Sequence, residues 1–190
     1  MTFIPEPKII LPLEKIIVFV EKQMGKKMMP ARLLLWTPKA FVSSMILEGL
    51  IAHKKGRISE RLLKLIRMQV SLRIACPFCI DMNSAGFRKQ GITEEEIAGL
   101  QRLKKLKDIQ SFSDEERLVL AFTCGLVRTP IKHNPNVVAK MTRVFDEKEF
   151  ATIVTTIAQV DYWTRVIQGF GIQPAGFLES CDLKLFVADK

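Results

Sequence analysis

Apolar residues recur along this chain at helical intervals and almost nowhere at the alternating interval of a strand. Leu13, Ile16, Ile17 and Val20 form one stripe ahead of Gly25. Leu62, Leu65, Ile66, Gln69, Val70 and Leu72 form another, interleaved with Arg61, Lys64, Arg67 and Arg73. Three- and four-residue spacing of this kind predicts amphipathic helices. Pro5, Pro7 and Pro12 make residues 1–11 an extended arm before a helix from about Leu13 to Met24. Pro30 opens a short helix through Leu35, Pro38 opens one through about His53, and Arg57 to Ala75 is the next. A helix beginning at Pro77 is predicted to run to near Gly91. Three start signals follow: Thr93 with Glu96, Ser113 with Glu116, and Asp146 with Glu149, each a cap residue followed three positions later by Glu. They open helices to about Lys105, to about Val127 and from Phe150 to Gly169. Asn134 and Pro135 start a short one between the last two. No stretch combines sustained alternation with turn dipeptides, so the fold class is all-α.

Composition narrows the function classes. The chain has 190 residues, 48% hydrophobic and 26% charged, as expected of one globular domain. The net charge of +9 raises the question of nucleic acid. The cations, however, come in short runs such as Lys26–Lys27, Lys54–Lys55 and Lys104–Lys105 with Lys107, without interleaved aromatics, and read as solvated faces. The opening residues lack a signal-peptide plan, and Ile9 to Val20 is interrupted by Pro12, Glu14 and Lys15 and is too short to span a bilayer. The expectation is a cytoplasmic protein with neither nucleic-acid nor membrane partners. Four cysteines in this length do not make a secreted disulfide framework.

Chemistry concentrates in Cys76-Pro-Phe-Cys79. Pro77 suits the first helical position and disfavours helix at Cys76. Both thiols then lie in the first turn of a helix, where the macrodipole stabilises a thiolate. Cα atoms three apart are close enough for a disulfide, and Asn83 falls on the same face. Three readings stay open: a redox pair, two buried structural thiols, or half of a zinc site. The last lacks a second pair of ligands, since Cys124, Cys181, His53 and His133 are scattered. Cys124 is expected in the core, Cys181 in the tail, and both histidines at the surface. Asp81 and Glu60 read as early-turn carboxylates that complement a helix dipole, with Asp81 pointing off the cysteine face. Arg165, beside Tyr162 and Trp163, reads as an intrahelical or intersubunit ion pair.

The run from Arg61 through Cys76, Cys79 and Asn83 resembles the signature of the carboxymuconolactone decarboxylase and alkylhydroperoxidase D-like (AhpD-like) family. The resemblance continues through the capped helix at Gly91–Ile97, the helix after Phe112, Phe145–Phe150, and Asp161–Arg165, and covers roughly residues 30–175. It implies an AhpD-like helical domain over 30–180, preceded by an arm and first helix over 1–29 and followed by a tail over 181–190. It also implies assembly into dimers, trimers or hexamers. The implied activity is a thiol-dependent peroxidase or thiol–disulfide oxidoreductase acting on a peroxide or disulfide substrate, with a protein reductant and without metal or organic cofactor. In that scheme Cys79 attacks the peroxide and Cys76 resolves the sulfenic acid. The chain departs from the peroxidase pattern at three positions. Lys64 stands where a Glu is expected, Asn83 where a His is expected, and Phe78 where some members have His or Tyr. Lys64 by its charge, or Glu60 as a replacement acid, would then support the thiols, and Arg165 could meet a buried acid or an anion. The alternatives are a redox-inactive helical scaffold or small-molecule binder, and a decarboxylase of the family's other branch.

Overall fold

The computed structural model describes residues 2–50 and 56–178. His53, Cys181 and the expected tail lie outside the described residues. Those residues contain helices and no strand: α1 (Leu11–Met24), α2 (Met29–Leu34), α3 (Pro38–Leu50), α4 (Glu60–Ile74), α5 (Pro77–Ser84), α6 (Glu94–Leu100), α7 (Asp114–Leu126), α8 (Pro135–Val144) and α9 (Glu147–Gly169). The all-α expectation is met.

Helix boundaries follow local chemistry. Gly25 ends α1 in the left-handed region, and Ser59 caps α4 by accepting the Leu62 N–H. All three predicted capping boxes form, at Thr93/Glu96, Ser113/Glu116 and Asp146/Glu149. Two of their glutamates have a second task. Arg61 of α4 donates to Glu96 at 2.6 Å and to Glu116 at 2.8 Å, so one guanidinium ties the starts of α6 and α7 to the central helix.

Two predicted helices end early. The helix from Pro77 does not continue to Gly91: it stops at Ser84, Gly86 takes φ +67°, and Phe87–Gln90 form a separate 3-10 turn. The break lets Phe87 turn into the core, where it is 1% exposed. Likewise α6 ends at Leu100 rather than near Lys105, with Arg102 in the left-handed region.

Helix α4 is the axis. Leu62, Leu63, Leu65, Ile66, Met68 and Val70 are all buried, so it is covered on nearly every side, as a central helix must be. It packs on α5, α7 and α9. Ile66 and Val70 meet Val119, Phe122, Ile153 and Ile157 in one apolar cluster, and Leu65 and Met68 meet Phe87, Ile97, Leu100 and Phe112 in a second. A third joins α2, α5 and α9 around the cysteines. The N-terminal arm lies on the body: the Phe3 N–H donates to Phe170 O at 2.9 Å, and Trp36 Nε1 donates to Pro5 O at 2.8 Å. Arg32 grips both oxygens of Glu21 at 2.7 Å, joining α2 to α1 and holding the Glu21 carboxyl below its ordinary range.

Candidate functional site

The turn between α4 and α5 is set by Ala75, which has φ 54° and ψ 48° and ends α4. The next residue, Cys76, is extended, and its N–H returns to Ser71 O at 3.2 Å. Cys76 is the N-cap of α5 and Pro77 its first residue, as the sequence predicts. The Cys76 sulfur accepts the Cys79 N–H at 3.3 Å, satisfying one of the donors left over at a helix start. Cys76 and Cys79 are joined in a disulfide with Cα atoms 5.2 Å apart, within the span a disulfide bridges. Both are enclosed: Cys76 is 0% and Cys79 1% exposed, packed with Leu33, Phe78, Ile167 and Ile172.

Two polar residues of α5 fix this unit in place. Asn83 Nδ2 donates to Ser71 Oγ at 3.0 Å, so the same Ser71 that receives the Cys76 N–H also anchors the last turn of α5. Asp81 is fully buried and accepts backbone N–H groups from Ala175, Gly176 and Leu178 at 2.9, 2.8 and 2.8 Å. This corrects the reading of Asp81 as an early-turn carboxylate complementing a dipole. A buried carboxylate needs donors, and here they come from the segment after α9. That segment forms a strap over the disulfide cluster: Ile172, Ala175 and Phe177 join it, and Phe177 meets the Phe78 ring edge-on at 6.2 Å. The sequence offered a signal, a lone charged residue in the helix.

An apolar cavity of about 560 Å³ adjoins the disulfide unit. Phe78 and Met82 of α5, Ile167 of α9 and Phe41 and Met45 of α3 line it, and Ile16 and Val20 of α1 stand at its exposed edge. Its one carboxylate, Glu48, accepts Gln159 Nε2 at 2.7 Å and Trp163 Nε1 at 2.8 Å, both on Oε2. Sequence reasoning missed this arrangement, because α1, α3 and α9 are far apart in the chain.

Residues 44–103, which include α4, α5 and α6, match the model of the carboxymuconolactone decarboxylase family. The fold is similar to an AhpD-core, peroxidase-related protein from Ralstonia eutropha JMP134, with TM-score 0.71 over 99% of this chain and 98% of that one at 15% identity. Over residues 44–103 the chain is similar to the carboxymuconolactone decarboxylase family, and the fold as a whole is AhpD-like. It is also similar in fold to a cysteine-to-alanine variant of the debrominase Bmp8 solved with 2,3,4-tribromopyrrole, with TM-score 0.79 over 97% of this chain and 100% of that one at 16% identity. In sequence it is 29% identical over 123 residues to the uncharacterized protein YdfG of Bacillus subtilis (strain 168), covering 64% of this chain and 82% of YdfG.

The remaining residues singled out on this AhpD-like frame are placed as follows. Lys64 reaches the far end of α5, donating to Ala85 O at 2.6 Å. The helix between them has eight residues, so the ammonium sits about 12 Å along the axis from the disulfide. Burial, with Arg67 nearby, lowers the Lys64 pKa to about 8. Glu60 is exposed in the first turn of α4, lining the same cavity as Lys64. Arg165 is exposed, with Nε 3.5 Å from Asp161 Oδ1, an intrahelical pair. Cys124 is a half-buried free thiol that receives Arg73 NH2 at 2.7 Å and Gln69 Nε2 at 3.2 Å, and burial pushes its pKa up. His133 is exposed and stacks on Phe122 at 5.3 Å. Among the described residues there is no group of three or more His, Cys, Asp or Glu able to hold a metal, and no helix long and apolar enough to cross a membrane.

Proposed function

We propose that this AhpD-like chain is a thiol–disulfide redox enzyme that reduces hydroperoxides through Cys79 and Cys76. The observation that carries the reading is the disulfide at the start of α5, enclosed beside an apolar cavity. In the reduced enzyme, the Cys79 sulfur attacks the distal peroxide oxygen. The O–O bond breaks, the thiol proton passes to the leaving oxygen as ROH, and Cys79 becomes a sulfenic acid. Cys76 then attacks that sulfur and water leaves, which restores the disulfide. The N–H of Cys79 on the Cys76 sulfur stabilises Cys76 as a thiolate for this second step. An external dithiol returns the pair to the reduced state by exchange, so the net reaction is ROOH + 2 RSH → ROH + H2O + RSSR. The Glu and His of the peroxidase pattern are replaced by Lys64 and Asn83. Lys64 bonds to Ala85 and Asn83 to Ser71, so proton transfer falls to the reacting groups themselves.

A second reading draws on the apolar cavity and the similarity to the debrominase, whose solved complex holds a brominated pyrrole. A dithiol can also reduce a carbon–bromine bond, ArBr + 2 RSH → ArH + RSSR + HBr, and the cavity is of a size and polarity to hold such a ring. Exposed Val18, Phe19 and Val42 on α1 and α3 support assembly with further copies of the chain. The deciding experiment supplies the reduced protein with cumene hydroperoxide or with 2,3,4-tribromopyrrole and follows disulfide formation by alkylation and mass spectrometry. Stoichiometric oxidation by the hydroperoxide supports the first reading and by the bromopyrrole the second. Thiols unchanged by either would refute both.

A further inference from the structure

Helix α4 carries its cations on successive turns, and they are treated differently. Arg61 has two carboxylates, Glu96 and Glu116. Lys64 and Arg67, the next two cations along the same helix, have no carboxylate partner among the described residues. The Lys64 ammonium donates to the uncharged Ala85 O at 2.6 Å, and Arg67 Nε is buried without a hydrogen-bond partner. Buried charge is ordinarily paired, because desolvation without a counter-charge costs several kcal/mol. Capping the carbonyl end of α5 accounts for the position of Lys64. It does not account for Arg67.

Both side chains line a cavity of about 900 Å³ at the C-terminal end of α5. Among the described residues, three further charged side chains line it. Arg88 is paired with Glu94 at 3.1 Å and lies over the Phe87 ring at 4.5 Å. Lys89 is exposed at the rim, and Glu60 is exposed with an interaction of its own. Leu63 from α4 and Phe177 from the strap supply an apolar wall. We propose that this cavity binds a small organic carboxylate, its head group between Lys64 and Arg67 and its apolar body against Leu63 and Phe177. The planar fork of arginine matches a carboxylate, and the ammonium adds a point charge. The apolar wall gives a carbon chain an advantage that a bare phosphate lacks. The charge of a bound anion also offsets the burial and the Arg67 repulsion that lower the Lys64 pKa.

This site is independent of the redox reading, so the test uses the full chain with both Cys76 and Cys79 replaced by serine as well as the unmodified protein. Calorimetric titrations at pH 7 and low salt compare sodium octanoate, sodium acetate and inorganic phosphate. Octanoate is expected to bind most tightly, and equally in both proteins. Lys64→Met and Arg67→Met should each weaken it about tenfold, the loss expected for one charge-assisted hydrogen bond. A second readout does not depend on the variants folding. An amine-directed acylating reagent at pH 8 modifies Lys64, and saturating octanoate should protect that lysine severalfold while leaving Lys89 unaffected. Absence of both binding and protection, binding unchanged in both variants, or phosphate binding as tightly as octanoate would each overturn the assignment.

Discussion

At its N-terminal end, α5 presents the Cys76–Cys79 disulfide to Leu33, Ile167 and Ile172, with an apolar cavity alongside. At its C-terminal end, the same eight-residue helix meets Lys64 and, close by, Arg67, on a cavity whose charged lining is four cations and Glu60. Both ends are partly withdrawn from water, but withdrawal acts in opposite directions. Around the disulfide it favours neutral species over charged ones. Around Lys64 it works against a charge that is already there, and the lowered pKa is the cost made visible. One short helix can thus carry two sites of contrary polarity, because its two ends face different neighbours: α2 and α9 at one, α4 and the 3-10 turn at the other.

The largest effect that would break this contrast is loss of chemistry at one end alone. Cys79→Ser should lower cumene hydroperoxide turnover more than about a thousandfold. Cys76→Ser should leave a sulfenic acid on Cys79 that a dimedone-type reagent traps. An adduct on Cys76 in the Cys79→Ser protein would reverse the two roles.

Next comes the strap that spans both ends. Asp81→Asn keeps the shape but removes the charge that receives three backbone donors. It should cost about 2–3 kcal/mol in urea denaturation and speed reduction of the disulfide by dithiothreitol. An unchanged reduction rate would show that the strap does not limit access to the sulfurs.

Filling the apolar side should separate substrates. Ala31→Phe places a ring in the cavity wall, so kcat/KM should fall about tenfold for cumene hydroperoxide while hydrogen peroxide is little affected. An equal loss for both substrates would mean that the cavity does not hold the organic group.

The smallest effect is on the cationic side. The Lys64 pKa in the folded protein is about 8, below its ordinary value of 10.5, so between those values the unfolded chain holds more protons than the folded one. Stability should therefore rise as pH increases from about 8 to about 10.5, while below pH 8 the penalty is fully present and constant. Lys64→Met should remove that rise and add about 1–2 kcal/mol at pH 7, allowing for the part of the side chain in water. Matching slopes in the two proteins over that window would refute the assignment.

Legibility from the sequence differed by kind of feature. The capping boxes, the proline at the start of α5 and the cysteine spacing are local chemistry, and each was readable because cap and partner lie within four residues. Asn83 on Ser71 and Asp81 on the strap were not, since the first partner is 12 residues away and the others 94 to 97. The early stop of α5 escaped because Gly91 reads as a helix end as well as Gly86 does. Only the burial of Phe87 decides between them.

The sequence by itself determined an all-helical chain, where most of its helices begin, and a dithiol at a helix N-terminus, because periodicity, caps and proline act over a few residues. Tertiary structure alone decided that the disulfide is enclosed, that an apolar cavity lies beside it, and that Lys64 and Arg67 share a cavity with no carboxylate partner of their own among the described residues. Those outcomes depend on which distant segments pack together, and packing sets the burial that gives each charge and each sulfur its character.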